Sequence, residues 1–383
     1  MADPVTIREK LGQDAYAGLC AASLTLAGNN ARLHRAFSAR QVRIAFLGGS
    51  VTAGCLDNAY VPEPFPLHGV QRLRSAMPGK RFYLYDYSIA GTGSDYGLVC
   101  VRRELSLCRP QLVVVEYGIN DAKTPESIGC FESLIRMLLQ LPEKPAVCLL
   151  LVGMEDGYCC RAHMTRIAAH YGLPVVDAAA ALEDAIRGGQ LTWWDYAADS
   201  CHPHPAGHQW LGDCLFAGLN EWLSAPADAP QPLPPACAYH APLTDLELLF
   251  LDALESPYEH RFGEDGLPML LHTADHGGAW QLPLYCRGVL LVYRQYCRGV
   301  LLVYRQYASH DYATFYASLD GGDPVPLRGY SLFGWGNPVT VLLSGGDTSG
   351  EHVLTLAPAD YDRNLKFELV ALGIWGGKRK ESD

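Results

Sequence analysis

Four stretches carry the residue types that acyl transfer needs, and they occur in one order along the 383 residues. They are Gly48-Gly49-Ser50-Val51-Thr52-Ala53-Gly54, Ser88-Ile89-Ala90-Gly91-Thr92-Gly93-Ser94, Glu116-Tyr117-Gly118-Ile119-Asn120-Asp121 and Asp199-Ser200-Cys201-His202-Pro203. A serine hydroxyl is a poor nucleophile at neutral pH, so Ser50 needs a base and the base needs something to orient it. His202 is the candidate base. Asp199 stands three residues before it, a spacing at which two side chains meet in a loop or a first helical turn, so its carboxylate can fix the imidazole tautomer and stabilise the imidazolium. Pro203 fits a first helical turn, which would place His202 at its start. Taken singly, Ser50 and Asp199 each also read as a plain helix N-cap.

These residues need elements to hold them. Val42-Arg43-Ile44-Ala45-Phe46-Leu47 is an apolar, β-branched run that stops at a glycine pair, the pattern of a buried parallel strand handing over to a tight turn. Further strand-like runs cover 82–87, 112–116, 146–152 and 175–177, alternating with helical patterns at 69–74, 97–108, 131–140 and 161–171. That alternation predicts an α/β fold, a flavodoxin-like three-layer α/β/α sandwich with about five parallel strands. Ligands bind such sheets outside the carboxyl ends of the strands, where Ser50, Gly91 and Asn120 all fall. Residues 5–40 read as helical, with a helix start near Asn29-Asn30-Ala31.

The composition changes at Ser224-Ala225-Pro226 and stays rich in proline through Pro235, as a linker would. Beyond Leu243 short β-type runs take over at 313–319, 340–343, 352–356 and 366–372, predicting an antiparallel, jelly-roll-like β-sandwich. The expected plan is a helical extension over 1–40, a catalytic domain over 41–223, a linker over 224–242, a sandwich over 243–376 and a polar tail over 377–383. Within the sandwich, residues 285–295 recur unchanged as 296–306. Because side chains alternate along a strand, an insertion of odd length reverses which face each one takes. One copy should therefore hold the native register and the other bulge or loop out.

A net charge of −11 without a sizeable block of like charge argues against nucleic acid and anionic membranes as partners. The N-terminus mixes both charges with no apolar segment, so no signal peptide is expected, and no apolar run is long enough to span a bilayer. Thirteen cysteines with no metal-like spacing suggest buried thiols in a reducing cytoplasm. His202, His204 and His208 have a spacing compatible with zinc, but His202 already has a role and no third ligand is evident, so no metal is expected. Glu132 and Arg136, four apart, read as a surface or interdomain ion pair. Asp121 either orients the Asn120 loop or is a turn residue. In the second domain Trp335, between Gly334 and Gly336, and Trp280 are the candidate sugar-stacking residues; Trp375 and Tyr330 are further aromatics there. The composition leaves a homo-oligomer open.

Serine, glycine, asparagine and histidine in four ordered blocks resemble the SGNH (GDSL-like) hydrolase superfamily, over residues 31–223. The resemblance implies an oxyanion hole made by the Ser50 N–H, the Gly91 N–H and the Asn120 side-chain amide. The first block is Gly-Gly-Ser-Val-Thr rather than Gly-Asp-Ser, a change shared by a subgroup acting on acylated carbohydrates. With the Pro-rich linker and the sandwich, the chain resembles bacterial two-domain carbohydrate O-acetyl esterases of the mannan acetyl esterase type, whose sandwich is similar to a carbohydrate-binding module. This implies deacetylation of acetylated oligosaccharides through an acetyl-enzyme on Ser50, without a cofactor. The alternatives are a lipid or acyl-thioester hydrolase of the same superfamily and a non-catalytic sugar-binding protein.

Overall fold

In the computed structural model, residues 6–56, 59–234, 239–241, 243–263, 268–275, 278–283, 285–286, 293–294, 299–344, 351–359, 362 and 365–376 are described. Contacts divide the chain into two compact units, Met1–Ala241 and Pro242–Asp383.

The first unit is built on strands β1 (Leu24–Leu26), β2 (Gln41–Gly48), β3 (Arg81–Asp86), β4 (Leu112–Glu116), β5 (Ala146–Leu151) and β6 (Val175–Asp177), in the spatial order β1-β6-β5-β4-β2-β3. The five strands from β2 to β6 are parallel, and β1 closes one edge antiparallel to β6. That edge strand falls in the segment expected to be wholly helical. Its three residues, Leu-Thr-Leu, suit a strand and follow the helix Gln13–Ala22 with a single intervening residue.

All five residues of β4 and all six of β5 are buried, as central parallel strands require. Alternate side chains serve opposite faces. Val42, Ile44, Phe46, Leu112, Val114, Cys148 and Leu150 share one core with Phe65, Val70 and Leu73 of helix Phe65–Ala76 and with Trp210, Leu211 and Leu215 of helix Pro205–Ser224. Val113, Val115, Val147 and Leu149 alternate with them along the same strands and are equally buried. The chain leaves β2 for β3 on one side and then crosses to β4 on the other. The strand order therefore reverses at β2, so the loops after β2, β3 and β4 open on one crevice.

The second unit contains two antiparallel sheets. One runs β7 (Glu259–Phe262), β8 (Pro268–His272), β15 (Phe367–Trp375), β10 (Gly299–Tyr307), β13 (Trp335–Ser344), with Glu247–Leu248 also on β15; the other runs β9 (Trp280–Pro283), β14 (Val353–Pro358), β11 (Thr314–Leu319), β12 (Val325–Arg328). Tyr258, Leu270, Val300, Leu302, Phe315, Leu354, Leu356, Phe367 and Leu369 form the core. The second copy of the repeat supplies β10, the strand flanked by β13 and β15, with Leu301, Leu302 and Val303 wholly buried. Of the first copy, the described residues Tyr285–Cys286 and Tyr293–Arg294 form a two-stranded ladder with each other, separate from both sheets. The rest of that copy lies outside the described residues.

Candidate active site

Ser50 opens a one-turn helix, Ser50–Ala53, directly after β2. A side chain on Gly49 would place its Cβ 2.2 Å from Asn120 Oδ1, so the turn approaches the Asn120 amide as closely as only glycine permits. Behind the turn, Thr52 Oγ1 donates to Glu116 Oε2 at 2.8 Å. The loop after β3 is tied to the same turn by the Ile89 N–H donating to the Gly48 carbonyl at 3.1 Å. Gly91, two residues on, is exposed with φ +75, a left-handed conformation that suits glycine.

His202 and Asp199 come from the loop before helix Pro205–Ser224. His202 Nε2 lies 2.9 Å from Ser50 Oγ, and His202 Nδ1 lies 2.8 Å from Asp199 Oδ2. The two carboxylate oxygens divide the work. Oδ1 accepts the backbone N–H groups of Cys201 (2.8 Å) and His202 (2.7 Å), which folds the loop, while Oδ2 faces the imidazole. Partial burial pushes the Asp199 pKa up, but those two amides and the imidazole outweigh it and bring it down to about 2. Asp199 is thus ionised at any ordinary pH. The carboxylate orients Nδ1–H toward itself, which leaves the Nε2 lone pair facing the serine.

Two expectations for this loop are corrected. Pro203 is not in a first helical turn: it forms an isolated bridge with Ala197, and the helix begins at Pro205. His204 is the N-cap instead, its Nδ1 accepting the Gly207 N–H, so His202 stays in the loop and is free to reach Ser50. His208 is wholly buried, stacks on Phe65 and accepts the Phe65 N–H, and burial lowers its pKa to about 3. His204 and His208 therefore have structural partners of their own.

Sequence reasoning left three features of the site unassigned. Glu116 ends an otherwise apolar strand yet is 1% exposed, its Oε1 has no partner, and burial pushes its pKa up to about 7. A carboxylate closing such a run was the visible signal. Asp121 Oδ1 accepts the Ser94 N–H at 2.7 Å, linking the loop after β4 to the loop after β3, and burial raises its pKa to about 8. Cys201 Sγ sits 3.3 Å from His202 Nδ1. Its thiol is pushed up to about 12 by burial and then by the Asp199 charge, so it does not compete as a nucleophile.

Outside this site, Glu132 is buried and not on the surface: it accepts from Tyr171 Oη at 2.8 Å and from the N–H groups of Tyr239 and His240. In the second unit Trp280 is 5% exposed and packs edge-on against Tyr258, so it is a core residue with no face for a ligand. Trp375 is buried too. Tyr330 stacks on His310, and Trp335 is 53% exposed, beside exposed Leu332 and Phe333.

A Ser–His–Asp array at the carboxyl ends of a parallel α/β sheet, with an asparagine amide at the serine turn, defines an SGNH-type carboxylic ester hydrolase. Residues 46–210 match the model of the GDSL-like lipase/acylhydrolase family. The fold of the chain is similar to crystal structures of a two-domain esterase (CEX) active on acetylated mannans. The form co-crystallized with mannopentaose is 20% identical, with 94% of this chain and 98% of that chain covered at a TM-score of 0.76. A second crystal structure of that esterase is 22% identical, covering 93% and 98% at 0.71. Comparison with curated proteins finds no match. No helix among the described residues is long and apolar enough to cross a membrane.

Proposed function

We propose that this chain removes O-acetyl groups from oligosaccharides, manno-oligosaccharides in the first place, through an acetyl-enzyme on Ser50. The observation that carries the reaction is the run of contacts from Asp199 Oδ2 through His202 to Ser50 Oγ, 2.8 and 2.9 Å long. His202 Nε2 takes the hydroxyl proton as Ser50 Oγ attacks the acetyl carbonyl. The Ser50 N–H, the Gly91 N–H and the Asn120 amide are the donors assigned to the oxyanion, and Ser50 stands at a helix start, where N–H groups lack intrahelical partners. Collapse expels the sugar hydroxyl, which receives the proton from His202. A water activated at the same nitrogen then releases acetate.

The sugar rests on different support, the likeness of both units to an esterase active on acetylated mannans. Trp335, exposed in the second unit, is the residue proposed to stack on a sugar ring. The test is acetate release from acetylated manno- and xylo-oligosaccharides, run beside p-nitrophenyl acetate and octanoate, for the wild type and Ser50→Ala. Fast release from the manno-oligosaccharide, abolished in Ser50→Ala, is expected. Preference for the octanoate would replace the carbohydrate reading with a lipid or thioester hydrolase, and activity surviving Ser50→Ala would remove Ser50 as nucleophile.

A further inference from the structure

The loop that carries Asp199 and His202 is a small hairpin. The Ala198 N–H donates to the His202 carbonyl at 3.0 Å, the His204 N–H donates to the Tyr196 carbonyl at 3.1 Å, and Ala197 bridges Pro203. Asp199, Ser200 and Cys201 form its tip. Among the described residues the Asp199 carboxylate bonds only within this hairpin, to the Cys201 and His202 amides and the imidazole. Its side chain is 41% exposed, so packing does not hold it in place. Two main-chain carbonyls moor the tip instead. The Trp193 indole Nε1–H donates to the Asp199 carbonyl at 2.6 Å, and the Glu155 N–H donates to the Ser200 carbonyl at 2.9 Å.

Trp193 is a well-held donor. It is buried, its ring meets Tyr196 edge-on with centroids 5.3 Å apart, and Tyr196 in turn meets wholly buried Trp210 edge-on. The turn it stands in is closed by Asp195 Oδ2, which accepts from the Thr192 N–H and hydroxyl and pairs with Lys10. We infer that Trp193 is a positioning residue for the hydrolysis: its indole N–H fixes the Asp199 main chain and so holds the carboxylate where it orients His202 toward Ser50. This rests on the reading of Asp199, His202 and Ser50 as orienting acid, base and nucleophile. A carboxylate that drifts from the Nδ1–H direction loses the hydrogen bond, and with it the tautomer that leaves Nε2 as the acceptor. Misplacement by about 1 Å can cost about 10²-fold in rate.

Two changes at Trp193 in the full chain test this, with p-nitrophenyl acetate as substrate. Trp193→Phe keeps a ring in the aromatic stack and removes the donor; benzothienylalanine in place of Trp193 keeps the bicyclic shape and replaces only N–H by sulfur. Both should lower kcat on the order of tenfold and change KM by less than about twofold. In an Asp199→Asn background the same changes should alter kcat by less than about twofold, because the carboxylate they position is gone. A merely structural loss would recur undiminished there. A wild-type kcat in the benzothienylalanine variant, or equal losses in the two backgrounds, would overturn the positioning role and leave the triad standing. Asp199→Asn at the wild-type rate would instead remove Asp199 as the orienting acid, and the role of Trp193 with it.

Discussion

Thr52 Oγ1 donates to Glu116 Oε2 at 2.8 Å, tying the turn that carries Ser50 to the last residue of the neighbouring strand. Gly48 pairs with Glu116 across those strands, so the contact closes a short loop of structure around Ser50. The acid in it is nearly inaccessible, and its second oxygen has no partner. This arrangement suits a protonated Glu116.

The pH dependence of stability follows. Burial raises the folded pKa of Glu116 to about 7, above its ordinary 4.5. Below 4.5 both states are protonated and the group is neutral in the balance. Between 4.5 and 7 the unfolded chain ionises first, so stability falls as pH rises, by on the order of 2–3 kcal/mol. Glu116→Gln keeps an acceptor for Thr52 and cannot ionise. Denaturant unfolding at pH 5 and pH 8 should show a smaller loss for Glu116→Gln than for wild type. Identical losses would mean that Glu116 is already ionised at pH 5.

Asp199→Asn should lower kcat by on the order of 10³- to 10⁴-fold, because asparagine still accepts the loop amides but no longer enforces the Nδ1–H tautomer of His202. Asp199 titrates near 2 in the folded chain. Because Asp199 is ionised throughout, the variant should stay far below wild type at every pH from about 5 upward, and a variant matching wild type anywhere in that range would contradict the assignment.

Asn120→Ala should lower kcat about 10²- to 10³-fold with little change in KM, the mark of a donor used in the transition state. Gly49→Ala drives a methyl group into the same amide. It should show a loss of the same sign, and the double variant should be no worse than Asn120→Ala alone. Additive losses would separate the two residues.

Removing eleven residues so that one copy of the repeat remains should leave the second unit folded. The two copies are identical, so deletion of either yields the same chain, and the remaining copy supplies the strand now formed by Gly299–Tyr307. Calorimetry should show a Tm equal to or above that of the parent, since a shorter connection loses less entropy on closure. A lower Tm would show that both copies contribute to the fold.

Much of this was legible in the residues themselves. Runs such as Leu112–Glu116 and Val175–Asp177 announce buried parallel strands because their apolar, β-branched stretches are continuous, and Ser50, Asp199 and His202, which the structure brings together, stand out by residue type and order. The three-residue spacing of Asp199 and His202 is a local property, and their contact is local too. What only the tertiary structure decided is long-range. Ser50 and His202 are 152 residues apart, and they meet at 2.9 Å because the strand order reverses at β2. Likewise, whether Trp280 faces a sugar or the core, whether Glu132 is a surface charge or a buried acceptor, and whether Glu116 holds its proton depend on what packs against each. The environment of each of these three side chains is set by partners distant in sequence.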